Sequence, residues 1–386
     1  MSIRPFTINI PDERVEDLRS RLRAVRWPRP VDGQGWNDGT DLRFLQRLTE
    51  YWQNWFDWRA QERRLNALPQ FMVTVDGQEV HFVHQQGSGP TPLPLILTHG
   101  WPGSFAEMEH VIPLLADPQA HGGDPADAFH VVVPSLPGYG FSPAPAIPGV
   151  SSRRIAHLWR GLMANLGYTN FALQGGDIGA GVSVWTARLF PERVVGLHLN
   201  FIPFGYRPPM GNDLPLTSLE EQAYLDKLAT WTAEEGAYAH LHGTKPQTLS
   251  YALTDSPVGL AAWIVEKFRS WSDCNGDVER AFGFDTLLTD ISLYWFSDDI
   301  NGSLRLYKEN RLAPLTFNPG ERVAPPLGVA LFPRELPMPP RTWVERAFDV
   351  RRWTVMPRGG HFAALEQPDL LVEDIRDFFR PLRAAT

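Results

Sequence analysis

The apolar positions change period as the chain is followed. Between residues 12 and 26, Val15, Leu18, Leu22 and Val25 recur at helical spacing among charges, and the pattern stops at Trp27-Pro28. A loop rich in Asp, Gly and Pro follows. A second amphipathic helix is expected from Asp41, with Leu42, Leu45, Leu48 and Trp52 on its apolar face and Trp55 and Trp58 extending the aromatic load. Two such helices with no strand between them cannot form the centre of an α/β fold, so they are expected to wrap its outside. The period then drops to two. Phe71–Val75 and Glu79–His84 flank Asp76-Gly77, the residues of a tight hairpin turn.

Beyond the hairpin, short continuous apolar runs alternate with helical stretches: Leu93–Thr98, Phe129–Val133, Asn170–Gln174 and Val194–Leu199. Strands without polar alternation are buried on both faces, which implies a mostly parallel sheet covered by helices. From about Arg207 to Phe317 the spacing is helical again, with a capping box from Ser218 to Glu221 and a helix start at Ser256-Pro257. The sheet resumes at Leu327–Phe332 and Trp353–Met356, and Leu370, Ile375, Phe378 and Phe379 mark a terminal amphipathic helix. The expected division is therefore an N-terminal meander (1–70), a first part of an α/β core (71–206), a helical lid (207–317) and the rest of the core (318–386).

Composition narrows the classes of function. A net charge of −8 over 386 residues argues against nucleic acid or an anionic membrane as partner. Cys274 is the only cysteine, so an intrachain disulfide is excluded and a reducing, cytoplasmic setting is expected. The first residues carry no apolar segment of a signal peptide, and no stretch approaches the roughly 18 apolar residues of a membrane span. His81 with His84, and His240 with His242, lack obvious further ligands, so neither metal nor cofactor is expected.

The candidate chemistry centres on Gly175-Gly176-Asp177-Ile178-Gly179, between the run Asn170–Gln174 and the helical run Ala180–Phe190. Strand, small-x-acid-x-small, helix is the layout of a nucleophile elbow, in which flanking glycines permit a strained turn that lifts one reactive side chain from the sheet edge. With a carboxylate there, the group needs no base and attacks carbon to leave an ester. The same residues also suit a plain helix cap, since Asp is a favoured N-cap. An ester requires a water and a base to clear it. His361 follows the last strand within Arg358-Gly359-Gly360-His361-Phe362, and Glu335 follows the preceding strand within Phe332-Pro333-Arg334-Glu335, with no Asp before Asp349. The expected oxyanion donors are the backbone amides of Ile178 and of Trp101, in His99-Gly100-Trp101-Pro102.

These motifs together resemble the microsomal-type epoxide hydrolases of the α/β-hydrolase superfamily, nearly end to end. The likeness rests on Arg26-Trp27-Pro28, Phe56-Asp57-Trp58-Arg59, His81-Phe82-Val83-His84, the His-Gly-Trp-Pro and Gly-Gly-Asp motifs, Asp255–Ala262, Tyr307-Lys308-Glu309-Asn310 and Gly359–Ala364. It implies an α/β-hydrolase core and conversion of an epoxide to a vicinal diol. It also implies two lid tyrosines that hydrogen-bond and protonate the epoxide oxygen, matching Tyr307 and Tyr238; Tyr224, Tyr251 and Tyr294 are read as packing aromatics. The expected partners are a small apolar epoxide and water, with a homodimer left open. The N-terminal apolar anchor of the family's membrane-bound members is absent from these residues, so membrane association is not carried over. Two other readings remain: a haloalkane dehalogenase-like hydrolase, which shares the Asp, His and acid logic but has no use for paired phenols, and a non-catalytic α/β-hydrolase-fold binding protein.

Overall fold

The computed structural model describes residues 2–204, 206–209 and 218–385. Residues 210–217, which fall inside the span expected to be the lid, lie outside the described residues.

Among the described residues, nine strands form one sheet in the order β1-β2-β3-β5-β4-β6-β7-β8-β9. They are β1 (Arg4–Phe6), β2 (Gln70–Val75), β3 (Gln78–Gln85), β4 (Leu93–Thr98), β5 (Phe129–Pro134), β6 (Phe171–Gly175), β7 (Val194–Leu199), β8 (Val323–Leu331) and β9 (Phe348–Val355). The Asp76-Gly77 hairpin is antiparallel, as its turn chemistry requires, and from β5 through β9 every pairing is parallel. Leu95, Ile96, Leu97, Val131, Val132, Leu173 and Leu197 are fully buried, which accounts for their continuous apolar runs. Strand β1 escapes the sequence pattern because three residues carry no readable period; it exists by pairing with β2.

The N-terminal arm folds as α1 (Asp12–Arg23), α2 (Leu42–Asn54) and α3 (Trp58–Leu65). Asp41 and Asp57 cap α2 and α3 by accepting from the amides of Phe44 and Ala60. The second expected helix is thus two, broken where Trp55 turns outward at 62 % exposure while Trp58 packs on Phe296 at 4.7 Å between ring centroids. Across the core run α4 (Val111–Ala116), α5 (Ser152–Asn165) and α6 (Asp177–Leu189), and the chain closes with α13 (Arg341–Val344), α14 (Ala363–Glu366) and α15 (Pro368–Phe379).

Between β7 and β8 lies a helical block: α7 (Leu219–Glu235), α8 (Ala237–Thr244), α9 (Pro246–Asp255), α10 (Pro257–Trp271), α11 (Phe284–Ser297) and α12 (Ile300–Leu312). The Ser218–Glu221 capping box is formed, and Ser256 caps α10 by accepting from the Gly259 amide. Helix α12 is tied to the core at both ends. Asp299 accepts from the Ala144 amide at 2.5 Å, Glu309 from Gly149 at 2.9 Å, and Asn310 from Ser152 at 2.7 Å. Each is a carboxylate or amide oxygen meeting a backbone N–H of the core, so a slide of the helix would break all three hydrogen bonds.

Candidate active site

Asp177 opens α6 with φ +46°, in the left-handed region. For a residue with a side chain that conformation costs about 1–3 kcal/mol and persists only where the surroundings impose it. They do so by close approach. A Cβ on Gly179 would lie 1.9 Å from the Thr98 carbonyl oxygen, so only glycine lets α6 start hard against the end of β4. A Cβ on Gly100 would lie 2.3 Å from Asp177 Oδ1; the carboxylate rests where that methyl would be. The strand-to-helix turn thus has the geometry of an elbow, with Gly176 at the cap position and Asp177 as the first residue of α6.

The Trp101 amide donates to Asp177 Oδ1 at 2.9 Å. One oxygen of the carboxylate therefore already occupies the expected oxyanion position. Asp177 Oδ2 faces His361 Nε2 at 3.4 Å, and His361 Nδ1 pairs with Glu335 Oε1 at 2.5 Å. Glu335 is oriented by accepting from the Leu336 amide at 2.7 Å, while Arg334 turns away toward Asp273 at 3.7 Å. Asp177, His361 and Glu335 thus converge, and Ile178 lies beside them on the wall of the larger cavity.

The loop carrying His361 is gripped by the end of α10. The His361 amide donates to the Trp271 carbonyl at 2.9 Å, and the Glu366 carboxyl accepts from the amides of Asp273 (2.7 Å) and Phe362 (3.0 Å). Gly359 takes φ +104°, the bend expected of the two glycines. Burial opposes the imidazolium form of His361, but Glu335 and Asp177 outweigh it and hold the ring well above its ordinary pKa.

Opposite this floor stand Tyr238 on α8 and Tyr307 on α12, ring centroids 5.9 Å apart. Tyr238 stacks on Trp101 at 5.2 Å and 13° between planes, and Tyr307 meets the His242 ring edge-on at 4.9 Å. Burial pushes both phenols well above their ordinary pKa, with the negative charge of Asp177 adding to it. Both therefore stay protonated donors at neutral pH. Of the other tyrosines, Tyr294 is buried and donates to the Gly103 carbonyl at 2.8 Å, and Tyr224 packs edge-on against Trp343. Tyr251 departs from the expectation: it is 72 % exposed on the outer face of α9.

Two cavities meet at Asp177. One, of about 350 Å³, runs between floor and roof and is walled by Trp185, Phe201, Phe204, Trp231 and Leu315. The other, of about 20 Å³, lies beside His361 and is lined by Glu107, Gln174 and Asn200 among others. Sequence reading missed His242 and this second set. His242 sits four residues after Tyr238, one helical turn on, and accepts from Trp263 Nε1 at 3.1 Å; that spacing was the available signal.

Comparison with known proteins identifies the family. Two family profiles match, one described as the epoxide hydrolase N terminus over residues 3–108 and one as the alpha/beta hydrolase fold over residues 94–272. The pig (Sus scrofa) protein epoxide hydrolase 1 is 40 % identical across 98 % of this chain and 88 % of its own length. The structure of Aspergillus niger epoxide hydrolase superposes with a TM-score of 0.85 at 31 % identity, covering 99 % of this chain and 97 % of the other. That of juvenile hormone epoxide hydrolase from the silkworm Bombyx mori gives 0.84 at 30 % identity, covering 99 % and 94 %. No helix among the described residues is long and apolar enough to cross a membrane. With an Asp-bearing elbow, a His–Glu pair beneath it and full-length likeness at these identities, the chain belongs to the epoxide hydrolase family of the α/β-hydrolase fold.

Proposed function

We propose that the protein hydrolyses an apolar epoxide to a vicinal diol in two half-reactions through an ester on Asp177. The observation that carries this reading is the position of the Asp177 carboxylate, held from below by the Trp101 amide and His361 and open above to a cavity roofed by two protonated phenols. With Oδ1 engaged by Trp101, Oδ2 attacks an epoxide carbon. The C–O bond breaks on the far side, and the alkoxide takes a hydrogen bond, then a proton, from Tyr238 and Tyr307.

In the second half-reaction water attacks the ester carbonyl carbon, its proton passing to His361 Nε2. The amides of Trp101 and Ile178 bear the negative charge that develops on Oδ1. The bond from the carbonyl carbon to Oδ2 breaks, Oδ2 leaves as a hydroxyl of the diol and takes its proton from the imidazolium, and the second water proton leaves the regenerated carboxyl to restore the phenol that protonated the alkoxide. Esterification itself prepares this step: it removes the Asp177 charge, one of the interactions that keeps His361 protonated, so the ring turns into a base when one is needed. Glu335 keeps the tautomer and orientation.

The helical block around 207–317 is proposed as a lid over the core formed by 71–206 and 318–386, with 1–70 as a meander outside it. Every named group comes from one chain, so a homodimer is not needed for chemistry. The single cysteine, Cys274, is buried and free, in keeping with the cytoplasm as the expected setting. The aromatic walls favour an apolar substrate.

Single turnover in heavy-oxygen water tests the reading: the label should enter Asp177 first, and label passing only into the diol would overturn it. A dehalogenase reading is tested alongside with a terminal haloalkane. A halide leaves without a proton and has no use for two phenols, so halide release without diol formation from an aryl epoxide would favour it.

A further inference from the structure

Resting on the ester reading, we infer that the small cavity beside His361 is the seat of the hydrolytic water, and that Glu107 and Gln174 hold that water in line with the Asp177 carbonyl carbon. Among the described residues, Asp177 is the one that lines both cavities. Epoxide and water would therefore approach the same carboxylate from opposite sides, and an alkyl group bound in the large cavity would not block the water. A volume of about 20 Å³ is that of a single water site, for which roughly 10–15 Å³ suffices.

The lining is polar in a way that calls for an occupant. Gln174 is 1 % exposed; its Nε2 donates to Asn200 Oδ1 at 2.9 Å, while its Oε1 is buried with no partner among the described residues. A buried acceptor left unpaired costs about 1–3 kcal/mol, and ordered water is the usual remedy. Glu107 lies on the same wall. Burial first, then Asp290, push its carboxyl well above the ordinary range, with His361 pulling it down by more than Asp177 pushes it up. That direction favours the protonated carboxyl, which adds no negative charge beside Asp177 and still offers a carbonyl acceptor.

The hydrogen bonds then set the direction of attack. One O–H of the water points to His361 Nε2 and the other to Gln174 Oε1 or the Glu107 carbonyl oxygen, which leaves a lone pair for the ester carbon. The attacking oxygen forms its bond as His361 takes the first proton, and the carbonyl carbon later releases the diol oxygen. Glu107 and Gln174 position the water; they exchange no proton with it.

The test uses the full chain and styrene oxide as probe, with steady-state kinetics and intact mass after rapid quench. Glu107→Leu should lower kcat about tenfold or more, the scale of one lost hydrogen bond in a dry site. KM should fall in proportion, leaving kcat/KM within about twofold, because ester formation is untouched and only its clearance slows. The ester-bound mass should accumulate. Glu107→Gln should restore kcat to within about threefold, since a neutral acceptor is retained. Gln174→Leu should behave as Glu107→Leu, and serves if that variant does not fold. An unchanged kcat in both leucine variants, a fall in kcat/KM without ester accumulation, or a Glu107→Gln variant as slow as Glu107→Leu would overturn the water site. Failure of the wild type to form either ester or diol would instead overturn the Asp177 reading.

Discussion

The floor and the roof of the site are made in different ways. The floor groups, Asp177, Glu335 and His361, stand just beyond the ends of the parallel strands β6, β8 and β9, held by backbone hydrogen bonds and, at Asp177, by the close approach of Gly100. The roof groups, Tyr238 and Tyr307, stand on helices of the block between β7 and β8 and are held by stacked rings and by the ties of α12 to the core. Charge explains the division. Ionisable groups whose distances must hold to a few tenths of an ångström sit where the sheet fixes the backbone, whereas neutral donors tolerate the looser grip of aromatic packing. The roof can thus be recontoured for another substrate while the floor stays as it is.

Substitutions can break this comparison, and the strongest attack the floor. Asp177→Ala should abolish ester formation, lowering kcat/KM by about 10⁴-fold or more, with no adduct in intact mass after exposure to an aryl epoxide. His361→Gln should split the half-reactions: the ester forms and persists, and kcat falls about 10²–10⁴-fold, the range of a lost general base. Prompt diol release by that variant would remove His361 from its role.

The roof should respond differently. Tyr307→Phe or Tyr238→Phe should each slow single-turnover ester formation about ten- to a hundredfold while leaving the clearance of any ester that forms. Removing both should cost far more than either, because one phenol can partly cover for the other. If either single variant slowed ester clearance instead, the assignment of roof to the first step and floor to the second would fail.

The smallest effect concerns pH. His361 must be neutral to take a proton, so kcat limited by ester clearance should rise with pH through the histidine's pKa. Burial lowers that pKa and Glu335 raises it; once the ester has taken away the Asp177 charge, Glu335 is the carboxylate among the raising causes that still acts on the ring. Glu335→Gln removes a raising charge, so the ascending limb should move to lower pH, with kcat at its plateau down about tenfold from poorer orientation. A limb that stays put would mean that Glu335 does not reach His361 electrostatically.

Much of the floor was legible because its signals are local. Gly175-Gly176-Asp177-Ile178-Gly179 permits a tight strand-to-helix turn after an apolar run, and Gly359-Gly360-His361 a bend before the terminal helix. Glu335 could be found from its place after β8, but its choice of His361 over Arg334 could not. The roof was legible only through likeness to a family. A tyrosine on an amphipathic helix reads the same whether it roofs a cavity or, like Tyr251, faces water.

Local pattern alone indicated every strand except β1, a sheet that is mostly parallel and buried, and an acidic group at a tight strand-to-helix turn. These follow from side-chain period and from backbone conformations that few residues besides glycine adopt readily. Tertiary structure alone decided that one carboxylate divides two cavities, that Glu309 and Asn310 moor the helix bearing Tyr307, and that Gln174 and Glu107 share a wall with His361. Those are contacts between residues far apart in the chain, and they arise only when the strands and helices are packed at their actual distances.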